Sequence, residues 1–141
     1  MAIPVWPAEL PQRVLVEGYS ERTRDGRLFS ATSAGPPKVR RRFSAAVMPV
    51  AAAIYASWDQ KARFERFWAE DTSGGTLPFI MPDQSRDQVP LLASSGESLT
   101  TESGITILIV AKWLALFARE PPQITPMGVR FRISFQLEIL P

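Results

Sequence analysis

Neither cysteine nor histidine occurs in the sequence. Without cysteine there is no disulfide and no thiolate metal site, so the fold must be held by packing or by neighbouring subunits, in a chain compatible with a reducing cytoplasm. Without histidine, the side chain best suited to proton transfer near neutral pH is missing, and with it most hydrolytic triads and transition-metal sites. Charge of one sign is scarce too. Sixteen Lys and Arg stand against 14 Asp and Glu, a slight arginine excess that does not by itself point to nucleic acid. The longest apolar stretch, residues 105–118, is interrupted by Lys112 and falls short of the roughly 20 apolar residues a membrane-spanning helix needs. Residues 1–11 lack the basic-then-apolar order of a secretory signal. The expectation is a protein with no membrane insertion, no cofactor, no metal and no catalytic residue.

What is present suits one packed domain. The 141 residues are 45% hydrophobic and 21% charged, enough apolar material to close one core and too much for a disordered chain. Residues 1–11 carry three prolines among Ile3, Val5, Trp6 and Leu10, which excludes a long helix and reads as an extended arm seeking a surface. Trp6 on that arm is a candidate anchor into a neighbouring subunit, or else packs on its own domain. Residues 12–16 suit a short strand, and 18–26 a polar turn containing Asp25-Gly26. Over 38–47, Val39, Phe43, Ala45 and Val47 alternate with Arg40, Arg42 and Ser44. This predicts a strand that continues past Pro49 into 50–56, with Arg41 misplaced on its apolar face.

One helix is predicted, over 57–71. Ser57 and Gln60 make a capping-box pair, Phe64, Phe67 and Trp68 fall on one stripe, and Thr72-Ser73-Gly74-Gly75 ends it. Residues 76–81 read as a short strand and 83–104 as a long polar loop of the kind that is commonly functional. For 105–118 the β-branched start favours a buried strand pair. Finally, Val129, Phe131, Ile133, Phe135, Leu137 and Ile139 alternate with Arg130, Arg132, Ser134, Gln136 and Glu138, a long strand with one wet face. The predicted class is mainly β, a β-sandwich or barrel with one α-helix packed against it, an extended arm and a long loop.

The chemical motifs are few. Lys38, Val39, Arg40, Arg41 and Arg42 form a basic cluster that could contact phosphates or an acidic partner, or simply keep a strand edge soluble. Arg130 and Arg132, on another strand, could extend that patch into a charged subunit surface. The carboxylate pairs Asp83 with Asp87 and Glu97 with Glu102 lie in the long loop, where solvated charges are the expected state. No calcium loop, phosphate loop, dinucleotide fingerprint or nucleophile elbow appears.

Several short pieces, taken in order, resemble the lambda-type minor tail proteins of long-tailed bacteriophages, the protein M group. They are Gly18-Tyr19-Ser20-Glu21-Arg22, the helix through Phe64 and Phe67, the run from Gly74-Gly75 to Phe79 and Pro82, then Ala111-Lys112-Trp113 and the closing strand over 130–140. The pieces span nearly the whole chain. The basic block at 38–43 and the long loop before Ile105 depart from the pattern. The resemblance implies a non-enzymatic virion component at the tail tip, assembled in the bacterial host cytoplasm. It would form a ring, expected to be hexameric, between the tail tube protein and the baseplate hub protein, with DNA passing through the channel without specific binding. The subunit-interface candidates are Trp6, Arg40, Arg42, Arg130 and Arg132. Two alternatives stay open: a neck-side terminator or completion protein, and a small nucleic-acid-binding β module using the basic cluster.

Overall fold

The computed structural model describes residues 3–42 and 45–141, so the expected placements of Phe43 and Ser44 lie outside the described residues. The fold is mainly β and antiparallel, sandwich-like, with one helix packed on the sheet. In chain order the strands are β1 (Ser20–Glu21), β2 (Arg27–Ser30), β3 (Lys38–Arg41), β4 (Met48–Ala56), β5 (Phe79–Pro82), β6 (Lys112–Phe117), β7 (Gln123–Met127) and β8 (Arg130–Ile139). Helix α1 (Trp58–Arg66) follows β4. The main sheet runs β1-β4-β8-β6-β5, with β7 also paired to β8, and β2 and β3 form a separate hairpin. The path is open, so no barrel closes.

β8 is the spine of this sheet, and its alternation explains why. Ile133, Phe135, Leu137 and Ile139 are buried, whereas Arg130 and Gln136 are exposed. β4 lies along its whole length, from Met48↔Ile139 to Ala56↔Phe131. The other side of β8 is shared, with β7 on its first half (Met127↔Arg130 to Gln123↔Ser134) and β6 on its end (Phe117↔Leu137, Ala115↔Ile139). β7 and β8 meet through Gly128-Val129, and Gly128 has φ 69°, the left-handed first position of a two-residue hairpin turn.

Ser57 caps α1 as the sequence predicts: its side chain accepts from the Gln60 N–H while the Gln60 side chain accepts from the Ser57 N–H. The last turn, Phe67–Asp71, widens to π geometry, and Thr72 N–H reaches back to Phe67 O at 3.0 Å. Phe64 and Phe67 are buried, and Trp68 is half-buried with its ring against Phe117 at 4.9 Å. Gly75 is required at its position. Its φ is 85°, and a Cβ there would stand 2.4 Å from the Trp68 ring.

Residues 3–11 are the expected extended arm, but they lie on their own domain. Val5 forms a parallel bridge with Ile80, Trp6 N–H donates to Ile80 O (2.7 Å), and Ile80 N–H donates to Pro4 O (2.9 Å). Trp6, 3% exposed, enters the core among Phe64, Phe67, Phe79 and Phe135 at centroid distances of 5.7–6.1 Å. Ala52 and Ala56 of β4, both buried in the core cluster, keep that side of the sheet thin enough to receive these rings.

Four expected elements come out differently. Residues 12–16 form no strand, because after Pro11 only Leu15 N–H pairs with the sheet, donating to Ala53 O at 2.8 Å. The strand predicted over 38–56 is two strands in two sheets. Lys38–Arg41 pairs back on β2, so Arg41 needs no place on an apolar face, and Pro49 sits inside β4 opposite Glu138. The closing strand begins at Arg130, leaving Val129 exposed in the turn. The buried strand pair predicted over 105–118 is only the single strand β6, and residues 105–110 belong to a projection that begins at Asp83.

That projection is a three-sided module. Leu91 N–H donates to Ile107 O (2.9 Å), Ile107 N–H to Leu99 O (2.9 Å), and Leu99 N–H to Leu91 O (2.8 Å), closing a cycle. A second set of three bonds joins Ala93 to Glu97, Thr101 to Ile105 and Ile109 to Val89, each N–H to O at 2.8 Å. The bridges Leu92↔Ser98, Thr100↔Thr106 and Pro90↔Leu108 complete the three sides. The period is eight residues. Its corners carry positive φ at Gln88 (62°), Gly96 (88°) and Gly104 (85°).

Two stability predictions follow from these contacts. Trp6→Ala should cost about 3–5 kcal/mol in urea unfolding, the range for an aromatic removed from a packed core. Gln88→Gly should stabilise the module, whereas Gly96→Ala and Gly104→Ala should each cost about 1–2 kcal/mol through the left-handed backbone. Hydrogen exchange at Leu91, Leu99 and Ile107 reads this locally.

Candidate interaction surface

Trp6, expected as a possible anchor into a neighbour, is a core residue of its own chain, and its indole N–H donates to Pro11 O at 3.0 Å. Gln60 Nε2 holds Glu9 O at 2.9 Å, and Glu9 faces Arg63 at 3.7 Å, so the arm is also tied to α1. The arm therefore offers no aromatic to a partner from this position. An aromatic inside a proline-rich segment looks the same in sequence whether it docks at home or abroad.

The arginines separate into two places. Arg40 and Arg42 are exposed on or just after β3, beyond the Met48 end of β4. Arg132 pairs in register with Tyr55 near the other end of β4, roughly 24 Å along the strand at about 3.4 Å per residue. The single patch expected from the four arginines is therefore not formed. Both β8 arginines have local work: the Arg130 guanidinium lies 4.0 Å from the Tyr55 ring centroid, and Arg132 donates to Glu17 O at 3.4 Å.

The hairpin of β2 and β3 runs from Arg27↔Arg41 to Ser30↔Lys38 and packs on no other strand or helix of the described residues. Phe29 and Val39 face each other across it and are about half exposed. Its root is pinned by Arg24, whose guanidinium donates to Ala46 O (2.7 Å) and Ile139 O (3.0 Å), and by Arg42 N–H to Gly26 O (2.7 Å). Asp25 accepts from both the side chain and the backbone of Arg27, which lowers its carboxyl pKa from 3.8 to about 2.

The root of the three-sided module is where the carboxylates matter. Asp83 and Asp87 were expected to be solvated, yet both are buried. Asp83 Oδ1 accepts from Ser85 N–H (2.9 Å), Ser85 Oγ (2.8 Å) and Arg86 N–H (3.1 Å), turning the chain outward. Asp87 Oδ1 accepts from Ala111 N–H (2.9 Å) and Oδ2 faces Lys112 Nζ at 3.8 Å, fastening the outgoing leg to the returning one. Gln84 joins this root to the N-terminal segment, accepting from Val14 N–H (3.1 Å) and donating to Gln12 O (3.0 Å). Arg13 donates to Gln84 O (3.0 Å) and to Asp87 O. These groups are committed to structure. Glu97 and Glu102 are exposed on the outer part of the module.

Beyond that root the module is apolar and uncovered. Leu91, Leu99 and Ile107 are 39%, 39% and 37% exposed, equal values that express the eight-residue period. Leu92, Ile105 and Val110 are more exposed still. Sequence reasoning missed this surface by assigning 105–110 to the core. The available signal was the repeat itself, with Ser-Gly at 95–96 and 103–104 and a leucine-type residue at 91, 99 and 107.

Between the two roots, at the end of the sheet, lies a cleft of about 340 Å³ lined by Glu21, Arg24, Met48, Arg86, Lys112 and Leu140 among others. Nearby, burial and then Glu21, which accepts from the Tyr19 hydroxyl, push the Tyr19 phenol above its ordinary value. Among the described residues, no three Asp or Glu side chains gather where they could hold a metal ion. The chemistry this region can perform is recognition by apolar contact and charge.

Two outcomes are expected. Asp87→Ala leaves the Ala111 N–H without its acceptor and should loosen the module by about 1–3 kcal/mol, seen as faster proteolysis between 88 and 110 while α1 stays protected. Because the folded pKa of Asp25 lies below its unfolded value, its stabilising pair with Arg27 is complete above pH 3.8 and is lost as pH falls through about 2. An NMR titration of the Asp25 carboxylate should show that midpoint, and Arg27→Gln should return it toward 3.8.

Compared with known proteins, the chain matches no family model, no curated protein and no solved structure.

Proposed function

We propose that this chain is a structural, non-enzymatic component of a long-tailed bacteriophage tail. In this reading it forms a distal ring, hexameric by the resemblance, joining the tail tube to the baseplate hub around a channel for DNA. The observation that supports an assembly role is the division of the molecule into a tightly cored sheet and two projections that its own body leaves uncovered. Exposed apolar side chains gathered in one short segment, such as Leu92, Ile105 and Val110, are what a partner surface would cover. The tail itself enters through the resemblance in Gly18-Tyr19-Ser20, Gly74-Gly75 to Pro82 and Ala111-Lys112-Trp113.

Reconstruction of intact virions should place the chain as a ring at the tail tip. Density at the neck would favour a terminator or completion protein instead. A chain that stays monomeric and binds neither tail tube nor hub protein would count against both.

A second reading has its own observation: Lys38, Arg40 and Arg41 are all exposed on β3. As a nucleic-acid contact, this hairpin predicts affinity that falls steeply with salt and weakens on Arg40→Ala with Arg42→Ala. Absence of binding at low salt removes that reading.

A further inference from the structure

We propose that the β2–β3 hairpin of one copy seats on the three-sided module, residues 88–110, of the next copy, so that copies associate head to tail. The register of the sheet supplies the geometry. β1 ends at Glu21 opposite Val50, β4 begins at Met48 opposite Ile139, and the hairpin departs from that corner. Pro82 closes β5 opposite Lys112 at the start of β6, and β6 runs past Ile139 at the same end of β8. Both projections thus leave one end of the sheet, at opposite edges of the order β1-β4-β8-β6-β5. Four strand spacings of about 4.8 Å put the two edge strands roughly 19 Å apart in one chain. Copies placed side by side bring unlike edges together, and with them the hairpin of one and the module of the other.

The surfaces are complementary in chemistry. Between Arg24 and Arg42 stand Arg24, Arg27, Lys38, Arg40, Arg41 and Arg42 against Asp25 alone. Residues 88–110 contain Glu97 and Glu102 and no lysine or arginine. Each surface also offers apolar side chains that its own chain leaves in water, Phe29 and Val39 on the hairpin and Leu99, Ile105 and Ile107 on the module. An isolated two-stranded hairpin is marginal in water, so docking stabilises it.

A dimer built on like surfaces would fit worse. Pairing hairpin with hairpin sets arginine against arginine, and pairing module with module sets Glu97 and Glu102 against their copies. Made once between two copies, the unlike pairing leaves one surface of each free, and association continues until a rotation closes it into a ring. Made reciprocally, it would close a two-fold dimer, which negative stain and particle mass distinguish from a ring. Ring closure rests on the tail-ring reading given above; the joint itself rests on these two surfaces.

The absence of cysteine makes the test clean. Val39→Cys and Leu99→Cys are made as separate full-length variants, mixed and oxidised. The expected product is the mixed dimer, forming about tenfold faster than Val129→Cys with Leu99→Cys, a discrimination that complementary charge readily provides. Arg40→Glu with Arg41→Glu on the Val39→Cys chain, or Glu97→Lys with Glu102→Lys on the Leu99→Cys chain, should each remove that advantage. Mixing the two reversed chains should restore it, which a folding defect could not do.

Mixed dimers no faster than the Val129→Cys control would overturn the proposal, as would like-with-like dimers predominating. So would a module protected from proteolysis by tail tube or hub protein but never by further copies of this chain. The two readings fail separately. Head-to-tail cross-links without closed rings in negative stain would sink the ring and leave the joint. Closed rings without the mixed cross-link would leave the ring and sink the joint.

Discussion

The helix and the N-terminal arm take their positions on the sheet from the aromatic cluster around Trp6. The indole meets rings from α1 (Phe64), the π turn that continues it (Phe67), β5 (Phe79) and the distant β8 (Phe135). Edge-to-face and offset contacts of this kind add to the burial of the rings and fix their mutual angles. Phe117 of β6 joins the cluster through Phe64, Phe67 and Phe79. In a chain with no disulfide, this is the joint that holds helix, arm and sheet as one unit.

The arm carries that rigidity to the root of the three-sided module. Once Trp6 is buried, residues 12–14 are led past Gln84 and Asp87, where they bind the root of the module. Two buried aspartates complete the root through backbone N–H groups and Lys112. Buried carboxylates persist only when their lone pairs are used, and here each of them closes a turn or joins two legs of the chain. A firm root matters for a surface of open apolar side chains, because a partner then meets a preformed shape and loses less entropy on docking.

The described residues extend from one end of the sheet into two projections of opposite charge character. A head-to-tail joint between them would give the basic hairpin a role beyond solubility. It also gives the eight-residue period a use. Three short legs, each too weak to stand alone, close on one another and present leucine-type side chains at equal spacing.

Local elements are legible in the chain one short window at a time. Capping at Ser57, the Phe64/Phe67 stripe, the Gly74-Gly75 stop and the alternation of β8 are all nearest-neighbour chemistry. The helix on a mainly β fold follows from them, and so does the extended arm. Long-range partners are set by the three-dimensional fold. It put Trp6 in its own core, turned β3 back on β2, and kept Arg130 and Arg132 away from Arg40 and Arg42. It also carried residues 105–110 out of the core, although their composition is as apolar as that of β6. A period-2 or β-branched signal reports that a segment favours extended backbone. It does not report which face a distant strand will cover, because that depends on register and topology.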